Sequence, residues 1–505
     1  MRTATLILLA SAISAAASDS QVTASLGEER LGVWHMATLP YRNPAINQWR
    51  MSTGLTRVDG AYTSRTDHGD VDTRLGSGEH AWSAGADTYT KYRSSTLWGA
   101  ARYLNGSVED AVWCETADPG IVYPYLLADS VGGDMKQEKY AFSGGYADHK
   151  GRWAWGAELS YEATLAYRDV DPRPKNVVGK LDAAVGIAYA IGQSYHAGIS
   201  LNFRKYKQTN DIDFKSEMGV DKIFHLTGMA THYNRFGGDA LSTYYDGYRY
   251  GVSADFYPSA GQGVFASCAL SRFSFDNILT GLNKLPMASA WHKSIEVECG
   301  WLQPGAHTYA GGSAHFSAYR RHGSENIFGD ASAGIYPQIG SNAMYADNGT
   351  SAGAKGMWGL YFGNGSRFSA MADATWHRRV TTYVEPWRHS RVNDITVSIG
   401  AGTDFVLPHR WLFSAGADAV FYRPFDCAMT FTEAGSDSEM RQLEAIELHC
   451  HDLAVNAQTG GGVALGIART IADRYMLRLS ADWHRRTYTQ SIHSDSWQVR
   501  LAVIF

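Results

Sequence analysis

The sequence predicts an all-β protein, an antiparallel up-and-down transmembrane β-barrel of about eighteen strands, with sixteen as the alternative count. Three observations support this prediction. Long segments alternate apolar and polar residues, and the connections between them alternate between short and long. The last segment ends on an aromatic residue, Phe505. In a barrel of this kind, the short turns lie in the periplasm and the long loops face the outside of the cell.

The first residues are typical of a secretory signal. Residues 1–18 contain a basic residue, an apolar run and a final cluster of small residues. This order predicts export, with removal of the signal. We expect residues 19–48 to form an N-terminal periplasmic or plug segment and residues 49–505 to form the barrel.

The segment Trp153–Tyr167 justifies the strand prediction. Its odd positions are all apolar or aromatic, whereas its even positions include Glu158, Ser160 and Glu162. Successive side chains of a strand point to opposite faces, so a period of two indicates one apolar face and one polar face. Soluble strands are usually about 5 to 6 residues long, whereas a membrane-crossing strand needs about 9 to 11. The segment is therefore predicted to cross an outer membrane.

Comparable segments recur to the end of the chain, and their even number returns both chain ends to the periplasm. The predicted strands are 50–62, 84–92, 95–105, 138–148, 152–168, 180–191, 195–208, 244–257, 262–276, 290–302, 306–320, 355–363, 367–380, 393–406, 411–423, 459–469, 474–488 and 495–505. The long polar connections are predicted at 106–137, 209–243, 321–354 and 424–458.

The composition agrees with a barrel in the cell outer membrane. Aromatic residues make up 12% of the chain, with 29 Tyr and 15 Trp, which suits aromatic belts at the two membrane surfaces. Backbone groups in lipid must all be hydrogen-bonded, so such a sheet has to close into a ring. The net charge of −5 excludes the strongly basic surface that is typical of nucleic-acid-binding proteins. A large secreted β-sandwich or β-propeller is the alternative, since its strands would also alternate.

The inward face of the predicted strands carries the residues that we expect to line a channel. Rings of charge tune the selectivity of pores, and a slight acidic excess over the inward positions suggests cations. Alternatively, these side chains form ion pairs across the lumen and only make its surface polar. The predicted channel-lining residues are Glu158, Glu162, Arg168, Arg204, Arg249, Asp255, Glu296, Glu298, Asp373, Arg478 and Asp482.

Cysteine and histidine residues were assessed for disulfide, metal and catalytic sites. Of the five cysteines, Cys427 and Cys450 fall in one irregular segment and are the disulfide candidates. His449 and His451 would share one face of an extended segment, but no partner cluster is evident, so we predict no metal site. The chain has no HExxH or EF-hand motif, and we predict neither a cofactor nor enzyme activity.

Two short segments resemble parts of known barrel families. The final WQVRLAVIF resembles the insertion signal of Gram-negative outer-membrane proteins, which implies that lipid and the barrel-assembly machinery are partners. Asn43-Pro44-Ala45 looks like the NPA turn in the N-terminal hatch of long-chain fatty-acid transporter barrels. That likeness implies a hydrophobic-substrate transporter as one functional alternative.

Three longer blocks, at 123–147, 167–181 and 204–233, resemble an uncharacterised family of Bacteroidota outer-membrane barrels, known mainly as a domain of unknown function. The resemblance runs from about residue 43 to the end and implies no site residues. It implies the fold, the location and the bacterial phylum, but no activity. Barrels of this family often accompany TonB-dependent uptake systems, which suggests a channel or nutrient-uptake component beside a TonB-dependent receptor or a surface lipoprotein. Because the blocks fall largely in predicted loops, an ordered cap is expected. A non-conducting surface protein that binds a partner through this cap is the other alternative.

Overall fold

A computed structural model describes residues 21–216, 222–233, 242–332, 334–432, 438–472 and 475–505. The predicted signal segment lies outside these residues. Eighteen strands form one antiparallel sheet, in which β1 (Leu55–His68) pairs with both β2 (Gly78–Lys91) and β21 (His493–Ile504). The sheet is therefore closed, and the predicted eighteen-stranded barrel is confirmed.

The remaining strands of the barrel follow one another around the ring in chain order. They are β3 (Ser95–Ala111), β5 (Gly133–Lys150), β6 (Trp153–Tyr167), β7 (Arg173–Ile191), β8 (Tyr195–Asp213), β11 (Thr243–Pro258), β12 (Gly263–Leu279), β13 (Leu285–Gln303), β14 (Thr308–Phe328), β15 (Gln338–Tyr361), β16 (Arg367–Tyr383), β17 (Arg388–Leu407), β18 (Trp411–Phe431), β19 (Gln458–Ala472) and β20 (Tyr475–Thr487).

Outside the barrel sheet, the described residues form a small second sheet and short helices. The small sheet contains β4 (Leu126–Ala128), β9 (Phe224–Gly228) and β10 (Thr231–His232). None of the described helices is both long and apolar enough to cross a bilayer. The α-helices are α1 (Gln21–Leu31), α2 (Pro44–Asn47), α3 (Pro119–Val122) and α4 (Ser438–Ala454), and the 3-10 helices are Val33–Met36, Pro40–Arg42, Thr73–Leu75 and Pro408–Arg410.

The outer surface of the barrel is apolar, as the alternation predicts. In β6, the side chains of Trp153 and Leu159 are 54% and 55% exposed, whereas Ala154 is 2% exposed on the opposite face. Aromatic rings pair across neighbouring strands, for example Trp153 with Tyr189, whose ring centres are 4.8 Å apart. A closed sheet with an apolar outer band and a polar interior is the architecture of an outer-membrane protein.

Each predicted strand overlaps one strand of the barrel, but the strands extend further on the side of the long loops. The predicted loop 321–354 is wrong over most of its length, because β14 continues to Phe328 and β15 already begins at Gln338. The predicted connection 424–458 is likewise not irregular, since it contains the end of β18 and the helix α4. Beyond the membrane the outer face meets water, so apolar alternation stops while the backbone pairing continues.

Residues 21–54, here called the plug, lie inside the end of the barrel that carries the short turns, which is the predicted periplasmic end. Met36, Ala45 and Ile46 are fully buried, and they belong to one apolar cluster with inward side chains that include Tyr257 and Leu302. The plug therefore adds a core of its own to a barrel whose strands otherwise face inward with polar residues.

The extracellular end holds a second inward-folded unit, here called the cap, which consists of residues 112–132, 222–233 and α4. All residues of β4 and β9 are buried. Leu126 and Leu226 join Met440 and Leu443 of α4 in one apolar cluster. The expectation of an ordered cap is confirmed for the described residues.

Candidate functional site: a polar chamber between plug and cap

The plug rests on a patch of glycines in the barrel wall. Gly156, Gly186 and Gly198 lie on neighbouring strands β6, β7 and β8. A Cβ atom at Gly156 would lie 2.5 Å from the carbonyl carbon of Pro44, and one at Gly186 would lie 2.0 Å from Asn43 Oδ1. Only glycine allows the plug backbone to approach the wall so closely.

Two buried carboxylates hold the plug in this position. Asp255 Oδ2 accepts a hydrogen bond from Asn43 Nδ2 at 3.0 Å. Glu298 Oε2 accepts one from the backbone N–H of Leu39 at 2.7 Å, and Lys355 pairs with Glu298 at 2.9 Å. Both predicted channel-lining residues are thus covered by the plug, with only 4% and 3% of their surface exposed.

The cap is fastened by a buried ionic cluster at the end of β6. Arg168 Nη2 lies 2.6 Å from both Glu115 Oε1 and Asp129 Oδ2, and all three side chains are about 1% exposed. The prediction that Arg168 lines a channel is wrong, because the loop containing Glu115 and Asp129 folds over it. A carboxylate pair this deep needs a counter-charge, since unpaired buried charge is very costly.

A second buried arginine, Arg388 of β17, ties two parts of the cap to the barrel wall, and sequence reasoning missed it. Arg388 Nη1 donates to the backbone carbonyls of Met229 and Ala230 at 2.6 and 2.9 Å, and its other amino group pairs with Glu444 of α4. Nothing local in the sequence marks this role, because its partners lie far away along the chain.

Between plug and cap lies a polar chamber. It consists of two adjoining cavities of about 350 and 390 Å³ that share Arg249, Ser271 and Glu296. Ile121 of the cap lines the first cavity and Arg42 of the plug lines the second. A bound solute would therefore contact the wall, the plug and the cap together.

The charged side chains of the chamber differ in whether they have hydrogen-bond or ion-pair partners. Glu296 accepts a hydrogen bond from Arg42 at 2.8 Å, and Arg204 donates to Asp182 at 2.6 Å. Arg249, which lines both cavities, forms no hydrogen bond or ion pair with any of the described residues. Among the described residues, Arg321 donates to two backbone carbonyls, those of Gly120 and Tyr123, each at 3.1 Å.

The cavity next to the cap is cationic. It is lined by Arg204, Arg249 and Arg321 against one carboxylate, Glu296. His292 adds a buried Nδ1 atom without a hydrogen-bond partner among the described residues. The suggestion of cation selectivity is thus not supported at this place, because acidic residues of the inward face hold the plug and the arginines remain in the chamber.

Several predicted channel-lining residues lie elsewhere on the inner wall. Glu158 lines the plug-side cavity and accepts a hydrogen bond from Trp98 Nε1 at 2.9 Å, whereas Glu162 pairs with Lys180 at 2.8 Å. Asp482 lines a separate cavity of about 330 Å³. The other two are Asp373, which accepts from Thr375 at 2.8 Å, and Arg478, which lies half-buried on the inward face of β20.

The structure does not contain the predicted Cys427–Cys450 disulfide, because all five cysteines are free thiols. The two residues lie in a strand and a helix, not in an irregular segment: Cys427 belongs to β18 and Cys450 to α4. Burial raises the pKa of the Cys450 thiol to about 12. Since α4 is helical, His449 and His451 point apart, toward Asp70 and Ser390.

A further cavity lies under the first extracellular loop. It has a volume of about 460 Å³, and its lining combines apolar side chains, such as Val71, Leu75 and Met135, with the charged residues Asp72 and Arg74. Its lining also includes the charged residues Arg65, Asp67 and Glu79.

Comparison with known proteins gives a family and weakly similar folds. The profile of a family of unknown function, DUF6850, matches residues 44–505. No curated protein matches the chain. Among solved structures, a mutant of the ferric enterobactin receptor PfeA from Pseudomonas aeruginosa is 7% identical, with a TM-score of 0.37 over 88% of this chain and 80% of that chain.

Two further solved structures are similar at the same level. A FadL homologue from Pseudomonas aeruginosa is 12% identical, with a TM-score of 0.35 over 95% of this chain and 97% of that chain. The siderophore receptor PirA from Acinetobacter baumannii is 8% identical, with a TM-score of 0.39 over 89% and 80% of the two chains. Such weak likenesses carry no conclusion about substrate or partner.

Proposed function

The chain belongs to the DUF6850 family, a family of unknown function, and from its structure we propose that it is an uptake protein of the cell outer membrane that binds a small anionic solute between plug and cap. The observation that carries the proposal is the cationic cavity next to the cap, where the guanidinium of Arg249 has no hydrogen-bond or ion-pair partner among the described residues. A guanidinium recognises carboxylate or phosphate groups through paired hydrogen bonds.

Serine and tyrosine hydroxyls extend this recognition surface. The hydroxyls of Ser271 and Ser294 lie 2.8 Å apart in the wall, and the ring of Tyr319 stacks on His292 with centres 5.1 Å apart. Together with Arg249, they suit a solute that carries one or more acidic groups and hydroxyls. Passage to the periplasm then requires the plug to move, since its residues occupy the lumen below the chamber.

Binding of small anions to the detergent-purified chain tests the proposal. We expect citrate or inorganic phosphate to bind and neutral glucose not to bind, as measured by isothermal calorimetry. Arg249→Gln is expected to weaken anion binding by about tenfold or more, since a hydrogen bond to a charged group contributes about 1.5–3 kcal/mol. Arg391→Gln is the control, because Arg391 forms an exposed pair with Asp426.

Equal affinity of the wild type and Arg249→Gln for these anions would overturn the proposed site. Transport is separated from surface binding by accumulation in cells. Cells that express the wild type should accumulate the bound anion, and cells that express Arg249→Gln should not. Binding without accumulation supports the alternative, a non-conducting surface protein.

The apolar part of the cavity lined by Val71, Leu75 and Met135 favours a second candidate, a hydrophobic-substrate transporter with an N-terminal hatch. Binding of a detergent-like fatty acid that is lost in Met135→Lys but kept in Arg249→Gln would favour it. Three further statements stay predictions from the sequence. They are an origin in Bacteroidota, a non-enzymatic role, and an association with a TonB-dependent receptor or a surface lipoprotein.

A further inference from the structure

Two histidines and an aspartate meet where the first and last strands of the barrel join. In the pairing of β1 with β21, His68 lies opposite His493, and Thr66 lies opposite Asp495. Residues two apart on a strand share a face, so His493 and Asp495 point the same way, and His68 stands beside them on the neighbouring strand.

This group lies on the outer face of the barrel, toward the extracellular end. Val58 and Tyr62 of β1 and Trp497 of β21 are exposed on the same faces as His68 and His493, and the rings of Tyr62 and Trp497 lie 5.2 Å apart. The cluster is several residues beyond this aromatic pair. It is thus independent of the plug, the chamber and the cap.

The donor atoms are close to the spacing that one metal ion requires. His68 Nε2 and His493 Nε2 lie 3.7 and 3.8 Å from Asp495 Oδ2, and all ligand atoms are within 4.8 Å of one another. Donors about 2.1 Å from a tetrahedral zinc ion are separated by about 3.4 Å. Small rotations of exposed His68 and half-buried His493 would therefore bring their nitrogens and the Asp495 oxygen to the distances that one zinc ion requires.

The carboxylate of Asp495 is already oriented by another residue. Arg485 donates from Nε to Oδ1 at 2.8 Å and from Nη2 to Oδ2 at 2.7 Å. Each carboxylate oxygen has a second lone pair, so Asp495 can still bind an ion. Such outer partners fix the orientation of metal ligands and strengthen binding.

We propose that His68, His493 and Asp495 bind a divalent transition-metal ion of the zinc type. Two imidazole nitrogens with one carboxylate oxygen suit zinc, with a fourth position left for water, whereas magnesium and calcium prefer oxygen ligands alone. The ion would link the first strand to the last and so stabilise the strand pairing that closes the barrel. Binding to the folded state alone stabilises that state.

Zinc titration of the full-length chain, purified in detergent and freed of metal by EDTA, tests this site. The wild type should bind a single high-affinity zinc ion, and His68→Ala/His493→Ala should lose it. Asp495→Asn, which keeps both histidines, should bind about tenfold more weakly or worse. His80→Ala is the matched control, because exposed His80 faces only one carboxylate, Glu109, at 3.2 Å.

A second readout is the temperature at which the compact barrel unfolds on a gel, which also shows that each variant has folded. Zinc should raise this temperature for the wild type and His80→Ala, but not for His68→Ala/His493→Ala. Equal zinc binding by the wild type and the double variant would overturn the proposal. So would an equal loss of binding in His80→Ala, or an equal response to magnesium.

Discussion

At the scale of single residues, buried ionic groups decide whether the loops cover the barrel. Arg168 is surrounded by two carboxylates, and Arg388 bonds to backbone carbonyls and to Glu444. Arginine suits both places, because its planar guanidinium serves several acceptors at once. Charged residues on the inward face are therefore not one functional class, since some fasten loops and others face the chamber.

Arg168→Met is expected to loosen the cap strongly. The change leaves the carboxylates of Glu115 and Asp129 buried without their counter-charge, and breaking a buried pair in this way costs about 3–5 kcal/mol. The measurement is amide hydrogen exchange of residues 112–132 in detergent. Arg391→Met, which removes an exposed pair with Asp426, should cost less than about 1 kcal/mol. Equal effects of the two changes would contradict the role of Arg168.

The cap should also loosen in acid through His225. Burial, and then the neighbouring His232, lower the pKa of fully enclosed His225 to about 4. In an opened cap its pKa returns to about 6.5, so the open state binds a proton first. Cap stability is then complete above about pH 6.5 and falls by up to roughly 3 kcal/mol as the pH approaches 4.

Hydrogen exchange of residues 222–233 between pH 6.5 and pH 4 checks this expectation, after correction for the intrinsic exchange rate. His225→Phe, which keeps a flat ring without a titrating nitrogen, should remove most of the pH dependence. His307→Gln, in an exposed turn, should leave it unchanged. The same pH dependence in His225→Phe would assign the effect to other groups.

At the scale of elements, the sequence predicts strands only where lipid imposes a pattern. The predicted strand at 355–363 is the membrane part of β15, whose first half, from Gln338, has no alternation of apolar and polar residues in its sequence, although Tyr345 and Asp347 are buried there. The helix α4 did carry a signal, because Met440, Leu443 and Leu453 are apolar and buried at helical spacing. That period was overlooked within a segment interpreted as irregular.

The chamber was beyond prediction for a different reason. Alternation identified Arg204, Arg249 and Glu296 as inward residues, but it does not tell which inward residues the plug covers. Asp255, Glu296 and Glu298 all contact plug residues more than two hundred positions away, but only Asp255 and Glu298 are buried. Such contacts depend on the docking of the plug, which no local pattern encodes.

Gly186→Ala is expected to displace the plug. The new Cβ atom would lie 2.0 Å from Asn43 Oδ1, so Asn43 must move and lose its bonds to Ala45 and Asp255. Faster proteolysis of the N-terminal segment in the intact barrel measures this. Gly179→Ala on the same strand is the matched control, since its Cβ would have only an ordinary contact, 3.7 Å from the Tyr161 hydroxyl. Unchanged proteolysis in Gly186→Ala would show that the patch of glycines beneath the plug tolerates a methyl group.

At the scale of the whole molecule, the barrel is a wide cylinder that is filled from both ends. An eighteen-stranded barrel leaves an aqueous channel unless something occupies it. Here the plug and the cap each bury an apolar core inside the ring, and the polar chamber separates them. Conduction should therefore depend on these two inserts and not on the ring of strands.

Currents across planar bilayers test this dependence. The wild-type chain should insert and pass little current, because the plug fills the periplasmic half of the lumen. A variant without residues 21–50, which form most of the plug, should show discrete current steps, since the deletion vacates the periplasmic half of the lumen. A variant without residues 438–454 is the control, and it should stay closed while the plug remains in place. If the wild type conducts as strongly as the variant without the plug, then the plug does not close the barrel, and uptake through the chamber would need no movement of the N-terminal segment.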